Sequence, residues 1–127
     1  MQIIKKLMML AIMVSDMPKA KAFYADTLGL KVASDYRQSD DRWWVALTPP
    51  EGGITITLTT FNEGAKQKQS ALTLWFATPD LEAAHKELMD KGVKVSDIGD
   101  DLHGPGSGVK WFNFKDPDGN LIHLEEA

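Results

Sequence analysis

The 127-residue chain contains no cysteine. Disulfides, thiolate metal ligands and a cysteine nucleophile are thereby excluded, and the absence fits a cytoplasmic location. No apolar run approaches the ~20 residues that a membrane-spanning helix needs. Basic residues are few and scattered, 14 Lys and Arg against 18 Asp and Glu, so no clustered positive face is available for nucleic acid. There is no Ser-His-Asp order, no close pair of carboxylates on one strand face, and no basic groove interleaved with aromatics. What remains is an ordinary globular composition, with 43% hydrophobic and 25% charged residues, which argues against disorder or a fibrous repeat. The length suits one domain, or two small modules sharing a core. Lys5-Lys6 followed by Leu7 to Val14 has the outline of a signal peptide, but Asp16, Pro18, Lys19 and Lys21 stand where a cleavage region is small and neutral. Leu7 to Val14 therefore reads as a first strand.

The chain repeats itself. Met9 to Asp16 and Thr73 to Asp80 are each an apolar strand ending at an aspartate and followed by a segment of helical period. Met17, Ala20, Tyr24 and Leu28 share one face of the first segment, and Leu81, Ala84 and Leu88 one face of the second. Asp16 and Asp80 suit N-caps, and Gly29 and Gly92 suit helix exits. Strand starts follow at Leu30-Lys31-Val32 and Val93-Lys94-Val95. Strands at Arg42 to Thr48 and Val109 to Lys115 come next, then turns at 49–53 and 116–120, then last strands at Ile54 to Thr60 and Leu121 to Glu125. The expected fold class is α+β: two tandem βαβββ modules, about 5–61 and 70–126, joined by a linker at 62–69 within a single domain, with the helices on the outer face.

One helix covers only one face of a four-stranded sheet. Strand alternation assigns Leu10, Ile12, Val14, Ile54, Ile56, Leu58, Leu72, Leu74, Phe76, Phe112, Phe114, Ile122 and Leu124 to the helix side. The opposite face carries Met9, Ala11, Met13, Trp44, Thr55, Thr57, Thr73, Trp75, Trp111, Asn113 and His123. That face is half polar and rich in Trp and Met, so the modules are expected to line a shared concave cleft with it, within one chain or across a dimer. Trp43 falls on the helix side and is expected in the core.

Three stretches together resemble the glyoxalase, bleomycin-resistance and extradiol-dioxygenase superfamily (the vicinal-oxygen-chelate fold): Val14-Ser15-Asp16-Met17, Phe23-Tyr24 with Leu28-Gly29, and Phe114 to Ile122 with its Asp-Pro-Asp-Gly-Asn turn. The resemblance implies paired modules around a cup-shaped site, usually in a homodimer, and leaves the reaction open. It also implies that metal-dependent members take His, Gln or Glu ligands from the first and last strand of each module. By that pattern the four positions here are Met9, Thr57, Thr73 and His123. A thioether, two neutral hydroxyls and one imidazole are a poor set for a divalent catalytic ion, so no metal and no cofactor are expected.

His123 is the sharpest candidate, as a general base or a hydrogen-bond partner to a ligand oxygen. His103 sits in the glycine-rich segment 101–108, which could deliver it as a lid, although a plain hairpin connection is the simpler account. His85 reads as a surface residue. Trp44, Trp75 and Trp111 could stack a planar ligand or fill an interface, with Met9 and Met13 as an adaptable floor and Thr57, Thr73 and Asn113 as polar contacts. The expected function is binding of a small aromatic or hydrophobic molecule by a cytoplasmic homodimer, without nucleic acid or membrane. The competing readings are a lyase, isomerase or dioxygenase using His123, His103 or an unrecognised metal site, and an interaction module whose cup is closed.

Overall fold

The computed structural model describes residues 1–60, 72–101 and 104–127; the expected linker at 62–69 and His103 lie outside the described residues. The chain divides into two compact units, Met1–Gln69 and Ser70–Ala127. Among the described residues no helix is long and apolar enough to cross a membrane.

The first unit holds β1 (Met9–Met13), α1 (Met17–Lys21), β2 (Lys31–Ser39), β3 (Arg42–Thr48) and β4 (Thr55–Thr59). Asp16 starts α1: its backbone is extended and its carboxylate accepts the Lys19 amide at 3.1 Å. Pro18 sits in the first turn, where no intrahelical amide is required. The helix then widens into a π-type segment, Ala22–Thr27, that the sequence pattern had not separated from α1. Gly29, at φ +82°, ends it in the conformation that a side chain disfavours.

The strand order is β1-β4-β3-β2, with β1 parallel to β4 and the other pairs antiparallel. Ile12, Val14, Val45, Leu47, Ile56 and Leu58 are buried with Met17, Ala20 and Tyr24 of the helical segment. Each of the Ile, Val, Leu and Met side chains contributes about 1.5–3 kcal/mol relative to exposure. Strand alternation therefore holds for the centre of the sheet. It fails at Ile54, which precedes β4 and is exposed, and at Trp43. Trp43 is only half-buried: its indole N–H donates to Asp35 Oδ1 at 2.7 Å, and the Arg37 guanidinium lies 4.4 Å from its ring. Asp35 and Arg37 belong to β2, an edge strand exposed along its whole length, so the indole caps a polar edge rather than joining the core.

The second unit holds β5 (Thr73–Thr78), α2 (Leu81–Asp90), β6 (Trp111–Lys115) and β7 (Leu121–Glu126) in the order β5-β7-β6. The Asp80 carboxylate caps α2 by accepting the Ala83 amide at 3.1 Å. Leu81 and Leu88 are buried, as are Leu74, Phe112, Phe114, Ile122 and Leu124 on the helix side of the sheet. The expected strand at Val93-Lys94-Val95 is not formed. Where it would pair with β6, the Ser96 amide donates to the Asn113 carbonyl at 2.9 Å, but the returning Asn113 amide is accepted by the Ser96 hydroxyl at 2.9 Å, and a reciprocal backbone bridge is made between Gly99 and Trp111. A side-chain oxygen has taken the place of a ladder carbonyl there.

His85 corrects another expectation. It is half-buried, with Nε2 2.9 Å from the Ser96 carbonyl and its ring edge-on to Phe112 at 4.8 Å, so it ties α2 to the 93–99 segment. The turn before β7 is held by the buried Asp116 carboxylate, which accepts from the Asp118 and Asn120 amides and from the Asn120 side chain at 2.8–3.0 Å. Asn120 Oδ1 in turn accepts the Leu72 amide at 2.8 Å, locking the entry of β5 beside β7.

Candidate ligand-binding faces

In each unit the sheet face turned away from the helix carries the candidate residues. In the first unit Ala11 and Ala46 flank Thr57, and Met13 and Trp44 flank Thr59. Thr57 is buried and its hydroxyl donates to the Met9 thioether at 3.2 Å. Trp44 stacks on Tyr36 of β2 at 4.6 Å and 27°. Tyr36 was absent from the sequence-based set, because only the β2–β3 register, shifted by irregularities after Val32 and Arg37, brings the two rings together.

In the second unit Trp75, His123 and Asn113 lie side by side on β5, β7 and β6. Thr73, one position along the same face of β5, is exposed. The His123 imidazole stands between two near-parallel indoles from the strands on either side. Trp75 lies 4.1 Å away at 24°, and Trp111 5.3 Å away at 14°. Trp111 is held in turn. Its N–H donates to Asp101 Oδ1 at 3.4 Å, and its ring lies so close over Gly99 that a Cβ there would stand 2.5 Å from Nε1. The need for glycine at 99 and for the carboxylate of Asp101 left no signal in the sequence.

His123 is 94% buried, yet its Nε2 has no hydrogen-bond partner among the described residues. Burial pushes its pKa down, partly opposed by the charge of Glu125, so the uncharged ring is favoured. Trp75, by contrast, keeps 59% of its surface exposed. The unit thus presents a broad apolar indole beside a buried polar atom that no protein group satisfies.

The structure also tests the donors at the four positions where the fold's metal-dependent members bind an ion. Thr57 and Met9 are already bonded to each other, Thr73 is a neutral hydroxyl, and His123 alone is a good ligand. Among the described residues no three His, Asp or Glu side chains gather as a metal site would require. These donors do not fit a catalytic divalent ion.

The two units are small mixed α+β assemblies, a four-stranded and a three-stranded sheet with few helices. Residues 6–124 match the family model of the Glyoxalase/Bleomycin resistance protein/Dioxygenase superfamily, and the chain belongs to that superfamily. It is 25% identical to the uncharacterized protein YetH of Bacillus subtilis, over 97% of this chain and 99% of YetH. It is 31% identical to the uncharacterized protein YaeR of Escherichia coli, over 97% of each chain. Among solved structures it is similar to TnmS3, an antibiotic binding protein from Streptomyces sp. CB03234. That match has 27% identity and a TM-score of 0.79, covering 99% of this chain and 98% of TnmS3.

Proposed function

We propose that the chain binds a small aromatic or hydrophobic molecule without a metal ion, on the sheet faces that carry Trp44, Trp75 and Trp111. The observation that carries this reading is the Trp75–His123–Trp111 stack, which combines an exposed indole with a buried, unpartnered imidazole nitrogen. Apolar surface with a few placed polar groups is the usual composition of a small-molecule site. The likeness to an antibiotic binding protein supports the same reading. Met9, Met13, Thr57, Thr73 and Asn113 supply the remaining apolar and hydrogen-bonding surface, and the protein acts as a cytoplasmic homodimer contained in a single 1–127 domain.

The test is to remove metals with a chelator and follow melting and tryptophan emission against a panel of planar aromatic compounds. The reading expects chelator-insensitive melting, and panel members that quench emission and raise the melting temperature. Stoichiometric zinc, nickel or iron, or a panel without effect, would overturn it. Sedimentation checks the dimer, which has twice the 14.1 kDa chain mass. The second reading is a lyase, isomerase or dioxygenase that uses His123, whose burial beside Trp75 and Trp111 lowers its pKa and so favours the uncharged ring that a general base needs. That reading demands turnover that His123→Phe abolishes.

A further inference from the structure

Resting on the aromatic-binding reading above, the geometry of the first unit points to a narrower ligand class: we infer that its open sheet face takes a planar aromatic acid, with the ring beside Trp44 and the carboxylate beside Lys31. The register sorts that face into levels that run across the strands. Tyr36 and Trp44 stand opposite each other at one level, Ser34, Ala46 and Thr57 at the next, and Lys31 and Thr48 at the one after. Four residues of strand separate Trp44 from Thr48, a span of about 13 Å.

The middle level is a floor between two taller borders. Its side chains are short, with Ser34 exposed and Ala46 half-buried. Thr57 is turned to the Met9 thioether at 3.2 Å, so Ser34 and Ala46 form the open part of the floor. On one side the Tyr36–Trp44 stack makes an apolar border. A flat floor of this width, bordered by rings, suits a flat ring of one or two cycles.

The acid follows from the charges. On this face β1 to β4 carry Lys31 and Arg42 and no carboxylate, in a chain whose net charge is −4. Asp35 belongs to the opposite face, where it accepts from Lys21 and from the Trp43 indole. Lys31 takes part in none of the ion pairs among the described residues. Lys5 and Lys6 precede β1 at the Lys31 end of the sheet, where the β3–β4 turn brings Glu51; Asp40 and Asp41 lie in the β2–β3 turn at the other end. That end is therefore positive on balance. The Thr48 hydroxyl, level with Lys31, adds a donor for a carboxylate oxygen.

Calorimetric titration of the full chain tests this with 2-naphthoate and 2-naphthamide, its neutral counterpart of nearly the same shape. An exposed ion pair corresponds to a few-fold in affinity. The acid should therefore bind about three- to fivefold tighter at low salt, with the margin shrinking as salt is added. Lys31→Gln should erase the margin and leave 2-naphthamide unchanged. A measurement on the unaltered chain guards against a variant that fails to fold. In ¹H–¹⁵N spectra, 2-naphthoate should shift the backbone amides of Lys31, Ser34 and Ala46. Equal affinities, tighter binding of 2-naphthamide, a margin that survives Lys31→Gln, or shifts confined to Trp75, Asn113 and His123 would overturn the acid inference while the aromatic-binding reading stands. Binding of neither probe would overturn both.

Discussion

Replacing Gly99 by Ala perturbs the candidate site through a single added carbon. The new Cβ would stand 2.5 Å from Trp111 Nε1, 2.6 Å from Cε2 and 2.9 Å from Cζ2, closer than non-bonded atoms approach. The backbone cannot yield easily, because Gly99 and Trp111 exchange both amide hydrogen bonds at 2.9 and 3.0 Å. The indole must therefore rotate off Gly99, which breaks its contact with Asp101 and disturbs its stack on His123. Forced repacking of this kind costs about 1–3 kcal/mol. Each kcal/mol corresponds to about 3–6 °C in melting temperature for a chain of this size. Near-UV circular dichroism reports the stacked indoles directly, and its signal should fall in Gly99→Ala while far-UV helix and strand signals stay. Melting and near-UV spectra that match those of the unaltered chain would refute the account of how Trp111 is held.

Asn120→Ala should destabilise the chain by about 2–3 kcal/mol in urea unfolding, because the change strips partners from both the Asp116 carboxylate and the Leu72 amide. His85→Ala should cost about 1–2 kcal/mol in the same assay, through loss of the Ser96 bond and the edge contact with Phe112. Acidification gives a signed prediction. Burial lowers the pKa of His123 in the folded chain, so the unfolded chain binds the proton first, and stability present above about pH 6.5 is lost as pH falls toward the folded value. Melting temperature measured between pH 7.5 and 5 should decline more steeply for the unaltered chain than for His123→Phe, and equal slopes would contradict the assignment.

Much of the fold was legible because it rests on local chemistry. The caps at Asp16 and Asp80 and the helix exits at Gly29 and Gly92 follow from orphan amides and positive φ. Period-two alternation placed Ile12, Leu58, Leu74, Phe112 and Ile122 in the core correctly, because those positions lie at sheet centres. The errors fall where a pattern cannot see its neighbours. Alternation put Trp43 on the core side without showing that the adjacent strand is an exposed edge bearing Asp35 and Arg37. The sequence around Val93 reads as a strand, but a serine hydroxyl competes for the Asn113 amide.

Legibility was partial at the candidate site for the same reason. Trp75, Trp111 and His123 share a face by parity alone. Their stacking, the support from Gly99 and Asp101, and the unpartnered Nε2 depend on register and on a loop whose path no residue pattern specifies.

The central claim is that the Trp75–His123–Trp111 face binds an aromatic molecule without a metal. A tryptophan-emission titration of the metal-stripped chain with 1-naphthol tests it most directly, run in parallel on Trp75→Ala. The account predicts saturable quenching that added zinc or nickel leaves unchanged, and an affinity reduced about fivefold or more when the exposed indole is removed. Quenching that does not saturate, that appears only after metal is restored, or that Trp75→Ala leaves intact would contradict it.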